Sequence, residues 1–131
     1  MRKAPPMKTM LAMGLPVGGG TDSTRVAPYN PFVAIWWIVT GKTVAGLAVR
    51  GPQENLTRLQ ALRIYTVGSA WFNMDEDKVG SIEPGKYADL AVLSADYLTV
   101  PVDTIKELVS VLTIVNGKPV FASGDYSSLV R

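Results

Sequence analysis

The apolar positions change period along the chain, and each period predicts a different element. Met7, Met10 and Leu11 share one face of a short segment with prolines at its start and Gly14 at its end, which predicts a helix from Pro6 to Met13. Leu15 to Gly20 is a brief apolar run that dissolves into glycine, which predicts a buried strand followed by a flexible turn. Helix, strand and polar loop together form one αβ unit of a parallel sheet. Such a strand needs hydrogen-bonded neighbours, and six residues cannot be a sheet. Phe32 to Val39 is apolar at every position after Pro31. It reads as a helix without a polar face, buried all round or laid against a partner. A membrane span needs roughly 20 such residues, so a core helix is the better reading.

Gly51 to Asn55 is a loop, and Thr57 with Gln60 forms a capping-box pattern at the start of the next helix. Leu59, Leu62, Ile64 and Tyr65 follow at helical spacing, and Gly68 and Ser69 are expected to break the run, with Ser69 capping a short turn from Ala70 to Met74. From Val79 onward the pattern is that of strands. Glu83-Pro84-Gly85-Lys86 is a turn, Leu90 to Leu93 a strand, and Thr104 to Leu108 a single helical turn. The last element is a hairpin, Val109 to Val115 and Lys118 to Ala122 around Asn116-Gly117. Pro119 assigns its second strand to an edge or to a position that donates no ladder bond.

Composition narrows the functions. With 131 residues, 47% of them hydrophobic, the chain builds one packed core rather than a disordered tail. Charged residues amount to only 18%, which suggests that other protein covers part of the surface. The net charge of +2, with scattered basic residues, argues against nucleic acid as a partner. No cysteine and no histidine are present, so carboxylates are the strong metal ligands that remain. Asp75-Glu76-Asp77 lacks the spaced ligands of a calcium loop and reads as a solvated helix end. Arg2, Lys3 and the apolar stretch after Met10 imitate a secretion signal, but Pro5, Pro6 and Lys8 interrupt it. A cytoplasmic location is expected.

The candidate chemistry begins at Asp22, a carboxylate following Gly18-Gly19-Gly20-Thr21. An acid at the mouth of a buried strand is placed for proton transfer or metal binding; equally, an aspartate there caps a loop or the next helix. Glycines 18–20 with Thr21 to Thr24 also have the composition of a phosphate nest, and Gly41-Lys42-Thr43 echoes a P-loop. The first glycine of a P-loop would fall on Trp36, inside an apolar helix, so that pattern fails its context. Trp36, Trp37 and Trp71 read as packing residues, because a base-stacking platform wants basic neighbours.

Four segments, in order, resemble the C-terminal end of the metal-dependent amidohydrolase superfamily of TIM-barrel hydrolases. Gly20-Thr21-Asp22 resembles the close of its eighth barrel strand. Leu56-Thr57-Arg58 with Ala61 to Thr66 is similar to its closing helix. Val79 to Leu93, containing Ile82-Glu83-Pro84-Gly85-Lys86-Tyr87-Ala88-Asp89, resembles its return into a small β-sandwich, and the hairpin at Asn116-Gly117-Lys118 resembles the last sandwich strands. The resemblance implies an α/β plus β fold: residues 1–78 as the last βα unit and helices of a (β/α)8 barrel, residues 79–131 as part of a composite β-sandwich. It implies metal-assisted hydrolysis of non-peptide carbon–nitrogen bonds, with Asp22 as base and metal neighbour and with Arg25, ahead of Tyr29 and Asn30 on the following loop, as a substrate contact. Glu83, Lys86 and Asp89 lie far from a barrel mouth and are expected to be structural.

The family's metal, typically zinc, is held largely by histidines on earlier strands, which this chain lacks. The resemblance therefore implies a fragment that is inactive alone, binds no metal by itself, and takes its missing barrel strands from an N-terminal segment or another chain. A non-catalytic, self-associating remnant is the alternative, with no nucleic acid and no membrane as partner.

Overall fold

The computed structural model describes residues 4–22 and 28–130. Its first helix, α1 (Met7–Ala12), follows Pro6 and ends at Gly14, whose φ of 72° is a left-handed geometry that suits a residue without Cβ. Thr9 anchors it to a 3₁₀ turn at Pro52–Glu54: its backbone N–H and its hydroxyl both donate to the Glu54 carboxylate.

Helix α2 (Pro31–Thr40) starts where Asn30 Oδ1 accepts the Phe32 N–H at 2.9 Å, with Pro31 in the first turn, and stops at Gly41 with φ 67°. Ile35, Trp36 and Ile38 are buried, each contributing about 1.5–3 kcal/mol by leaving water. The C-terminal carbonyls of α2 are met by the buried Arg50. Its Nη2 donates to Trp37 O at 3.0 Å and to Ile38 O, its Nε donates to Asn55 Oδ1, and its guanidinium lies 4.8 Å from the Trp37 ring centroid. A cation at this end also complements the helix dipole.

Thr57 and Gln60 close the expected capping box and open α3 (Arg58–Arg63). The expected break at Gly68 and Ser69 does not occur. The helix widens into a π-helical turn at Ile64–Gly68 and continues as α4 (Ser69–Phe72). Gly68 serves close approach rather than termination, because a Cβ there would collide with the Val17 carbonyl oxygen. The Ser69 hydroxyl is occupied by Ile64 O and Gly19 instead of capping a new turn.

Residues 15–20 form no strand, which corrects the expected strand from Leu15 to Gly20. The stretch is bonded to helices instead: Leu15 N–H donates to Met10 O of α1 at 3.1 Å, and Gly19 N–H to Ile64 O at 2.8 Å, inside the π-helical turn. Strand geometry requires a ladder, and among the described residues no strand lies beside the segment to supply one.

The C-terminal half behaves as its local chemistry dictates. Lys86 N–H donates to Glu83 O across a turn with Gly85 at φ 93°. The Lys86 ammonium donates to Glu76 O at 2.6 Å and Ser81 Oγ at 2.7 Å, and Asp89 accepts the Asn116 N–H at 2.7 Å. Three antiparallel strands follow, β1 (Leu90–Leu93), β2 (Ser110–Val115) and β3 (Lys118–Ala122), in that spatial order. Asn116 and Gly117, at φ 50° and 76°, make the expected hairpin turn, and Pro119 does lie on an edge strand.

Between β1 and β2 the chain leaves the sheet and joins the helices. A 3₁₀ stretch, Val102–Glu107, extends the single turn expected from Thr104. Arg58 donates to Tyr97 O and Val100 O, Tyr97 Oη donates back to Arg58 O at 2.8 Å, and Trp36 Nε1 donates to Asp103. Tyr97, Ile105 and Leu108 thereby enter the same core as Met7, Trp36 and Ile64, so the core draws on residues from both sides of position 79. Among the described residues, no helix is long and apolar enough to cross a membrane.

Candidate active-site segment

Asp22 is solvent-exposed and holds a φ of 53°. Aspartate tolerates the left-handed region better than most side chains, yet the geometry still costs about 1 kcal/mol, and such residues concentrate where a side chain must be aimed. The chain reaches Asp22 through glycines packed tightly on the α3–α4 helix. A Cβ on Gly19 would collide with the Tyr65 ring, and one on Gly18 would lie 2.7 Å from Phe72. The Gly19 N–H also donates to Ser69 Oγ at 3.2 Å, and its carbonyl accepts the Ser69 hydroxyl at 2.7 Å.

On its other side the segment borders an apolar cavity of about 420 Å³ lined by Gly18, Gly19, Gly20, Thr21, Trp36, Trp37 and Tyr65, among others. Burial raises the pKa of the Tyr65 phenol, which stays neutral at physiological pH. The Lys42 side chain is the cation on this wall.

The other sequence candidates fare differently. Arg25 lies outside the described residues. Tyr29 is exposed, and the Asn30 amide is committed to structure, accepting from Phe32 N and donating to Leu108 O at 3.1 Å. A phosphate nest on the glycines is disfavoured because the Gly19 amide is already spent on Ile64 O and Ser69 Oγ. Gly41 ends α2 rather than beginning a phosphate loop. Trp36 and Trp37 pack as expected, whereas Trp71 is 49% exposed and stands edge-on to Phe72. Tyr65 and Ser69 were missed as neighbours of the Asp22 segment. Their one sequence signal was a Gly-Ser pair inside a continuing apolar helical pattern.

The donor set does not fit a metal centre. Among the described residues no three His, Cys, Asp or Glu side chains converge, and the sequence contains neither histidine nor cysteine. One exposed carboxylate offers at most a single ligand, where a hard or borderline cation takes four or more.

An exposed acid after a glycine segment, a capped helix and a terminal antiparallel sheet are the parts this structure shows, and the chain belongs to the amidohydrolase family, whose model it matches over residues 1–121. It is 34% identical over 112 residues to the N-substituted formamide deformylase of Arthrobacter pascens, covering 86% of this chain and 20% of that protein. It is 30% identical over 125 residues to YtcJ of Bacillus subtilis (strain 168), covering 92% of this chain and 23% of that protein. The chain thus spans about a fifth to a quarter of the length of these relatives. In fold it is similar to a crystal structure of an amidohydrolase from Thermotoga maritima MSB8, with a TM-score of 0.66 and 23% identity over 94% of this chain and 29% of that one.

Proposed function

We propose that this chain is the C-terminal part of a hydrolase of non-peptide carbon–nitrogen bonds, and that Asp22 is its contribution to the chemistry. In this reading residues 1–78 are the end of a barrel, residues 79–131 part of a sandwich, and the remaining strands come from another segment or another chain. The observation that carries it is the geometry of Asp22: an exposed carboxylate, held in a left-handed backbone conformation, at the end of a glycine segment clipped to a helix. Family membership and the relative that acts on N-substituted formamides support the bond type.

The residues present do not make a metal site, so the divalent ion typical of such hydrolases would rest on ligands from elsewhere. What this chain's own group does is simpler. Asp22 accepts a proton from the attacking water and returns it to the departing nitrogen, a role worth roughly 10²–10⁴ in rate. Arg25, three positions further along the sequence, is proposed to contact the substrate.

The test is a chimera in which this chain replaces the matching segment of the Arthrobacter pascens deformylase. Formamide hydrolysis is expected in the folded chimera, with loss of about 10²-fold or more in kcat for Asp22→Asn at unchanged metal content. Full activity in the Asn variant would end the assignment.

A second reading, a non-catalytic and self-associating remnant, is favoured by one observation. Large apolar side chains such as Met74, Ile82, Phe72 and Phe121 are about half exposed or more.

A further inference from the structure

Resting on that reading, we propose that Ser69 is a positioning residue for Asp22, acting through Gly19. In a regular α-helix the Ile64 carbonyl would accept the N–H of Gly68, four residues on. Here the turn Ile64–Gly68 is π-helical, and the Ile64 carbonyl receives the Gly19 N–H at 2.8 Å and the Ser69 hydroxyl at 3.0 Å. The hydroxyl shares its one proton between Ile64 O and Gly19 O, the latter at 2.7 Å, and its oxygen accepts a share of the Gly19 N–H at 3.2 Å. A hydroxyl has one proton and two lone pairs, so it is a group able to meet both polar atoms of one peptide residue at once. Alanine offers neither function.

The bulge and the hydroxyl work with two bare backbones. Gly68 admits the Val17 carbonyl, and Gly19 admits the face of Tyr65. The segment is therefore fixed at consecutive positions on a helix, three residues before Asp22. π-helical turns recur at functional sites, and here the Ile64 carbonyl within one also holds the approach to the acid through the Gly19 N–H. The bland alternative is a serine that merely caps a local carbonyl, and the two differ in what happens at Asp22.

The experiment uses the purified chain and three forms of it: unmutated, Ser69→Ala and Ser69→Thr. Residue-resolved amide exchange is read at Gly19 and at Leu108 as a distant control, together with the carboxyl ¹³C resonance of Asp22. In the unmutated chain the Gly19 amide is expected to be protected. Ser69→Ala is expected to raise its exchange about tenfold and to shift the Asp22 resonance, with Leu108 unaffected, and Ser69→Thr to restore both. An unprotected Gly19 in the unmutated chain overturns the proposal, and this holds even if Ser69→Ala fails to fold. An unmoved Asp22 resonance in a folded Ser69→Ala overturns it equally. In the deformylase chimera, Ser69→Ala is expected to lower kcat about tenfold at constant KM, again restored by threonine. If the chimera is active and indifferent to Asp22→Asn, the catalytic reading fails while the exchange and resonance data still decide whether Ser69 holds the segment.

Discussion

Asp22 combines exposure with a φ of 53°, so its backbone and its carboxylate make separable contributions. Asp22→Gly relieves the left-handed strain while enlarging the unfolded ensemble, and urea unfolding is expected to place it within about 0.5 kcal/mol of the parent. Asp22→Val, β-branched in a region that rejects it, is expected to lose about 1–2 kcal/mol. Tyr97 gives a pH signature. Burial pushes its phenol up to about 12 from an unfolded value of 10.0, with nearby Arg58 opposing. The stabilisation from the neutral phenol is complete below pH 10 and is lost as pH rises through 12. Alkaline unfolding followed at the tyrosinate absorbance is expected to show Tyr97 ionising with the loss of fold, and Tyr97→Phe to remove that phase. The glycine segment that leads to Asp22 was legible in the sequence because glycines and a lone acid after an apolar run are a local signal. Ser69 was not, since its partner, Gly19, lies fifty positions away and only the folded helix brings them together.

Elements whose cause is local could be read directly. The Thr57–Gln60 box, the Pro84-Gly85 turn and the Asn116-Gly117 hairpin depend on residues within a few positions of each other, and all three form as expected. Thr57→Ala is expected to cost about 1 kcal/mol in chemical denaturation, since both the side-chain cap and the registry of Gln60 depend on it. Elements that need a distant neighbour could not be read. The segment 15–20 has the composition of a strand, but its backbone is engaged by a helix. The π-helical turn was likewise hidden, because the backbone it accommodates, Val17 against Gly68, lies fifty-one positions away in the chain.

For the whole molecule, a chain covering 20% and 23% of two relatives exposes large apolar side chains, among them Met74, Ile82 and Phe72. Sedimentation velocity is expected to show concentration-dependent association of the purified chain, and a monomer across the accessible range would contradict it. The edges of the sheet limit the form such association takes. Pro119, opposite Ile114, leaves β3 without a backbone donor at its second position, whereas β1 carries no proline. A stack that grows without end requires two competent margins per copy, one to receive and one to be received. A molecule with a single good margin pairs edge to edge with its twin and is then satisfied, so any zipping of sheets terminates in couples rather than threads.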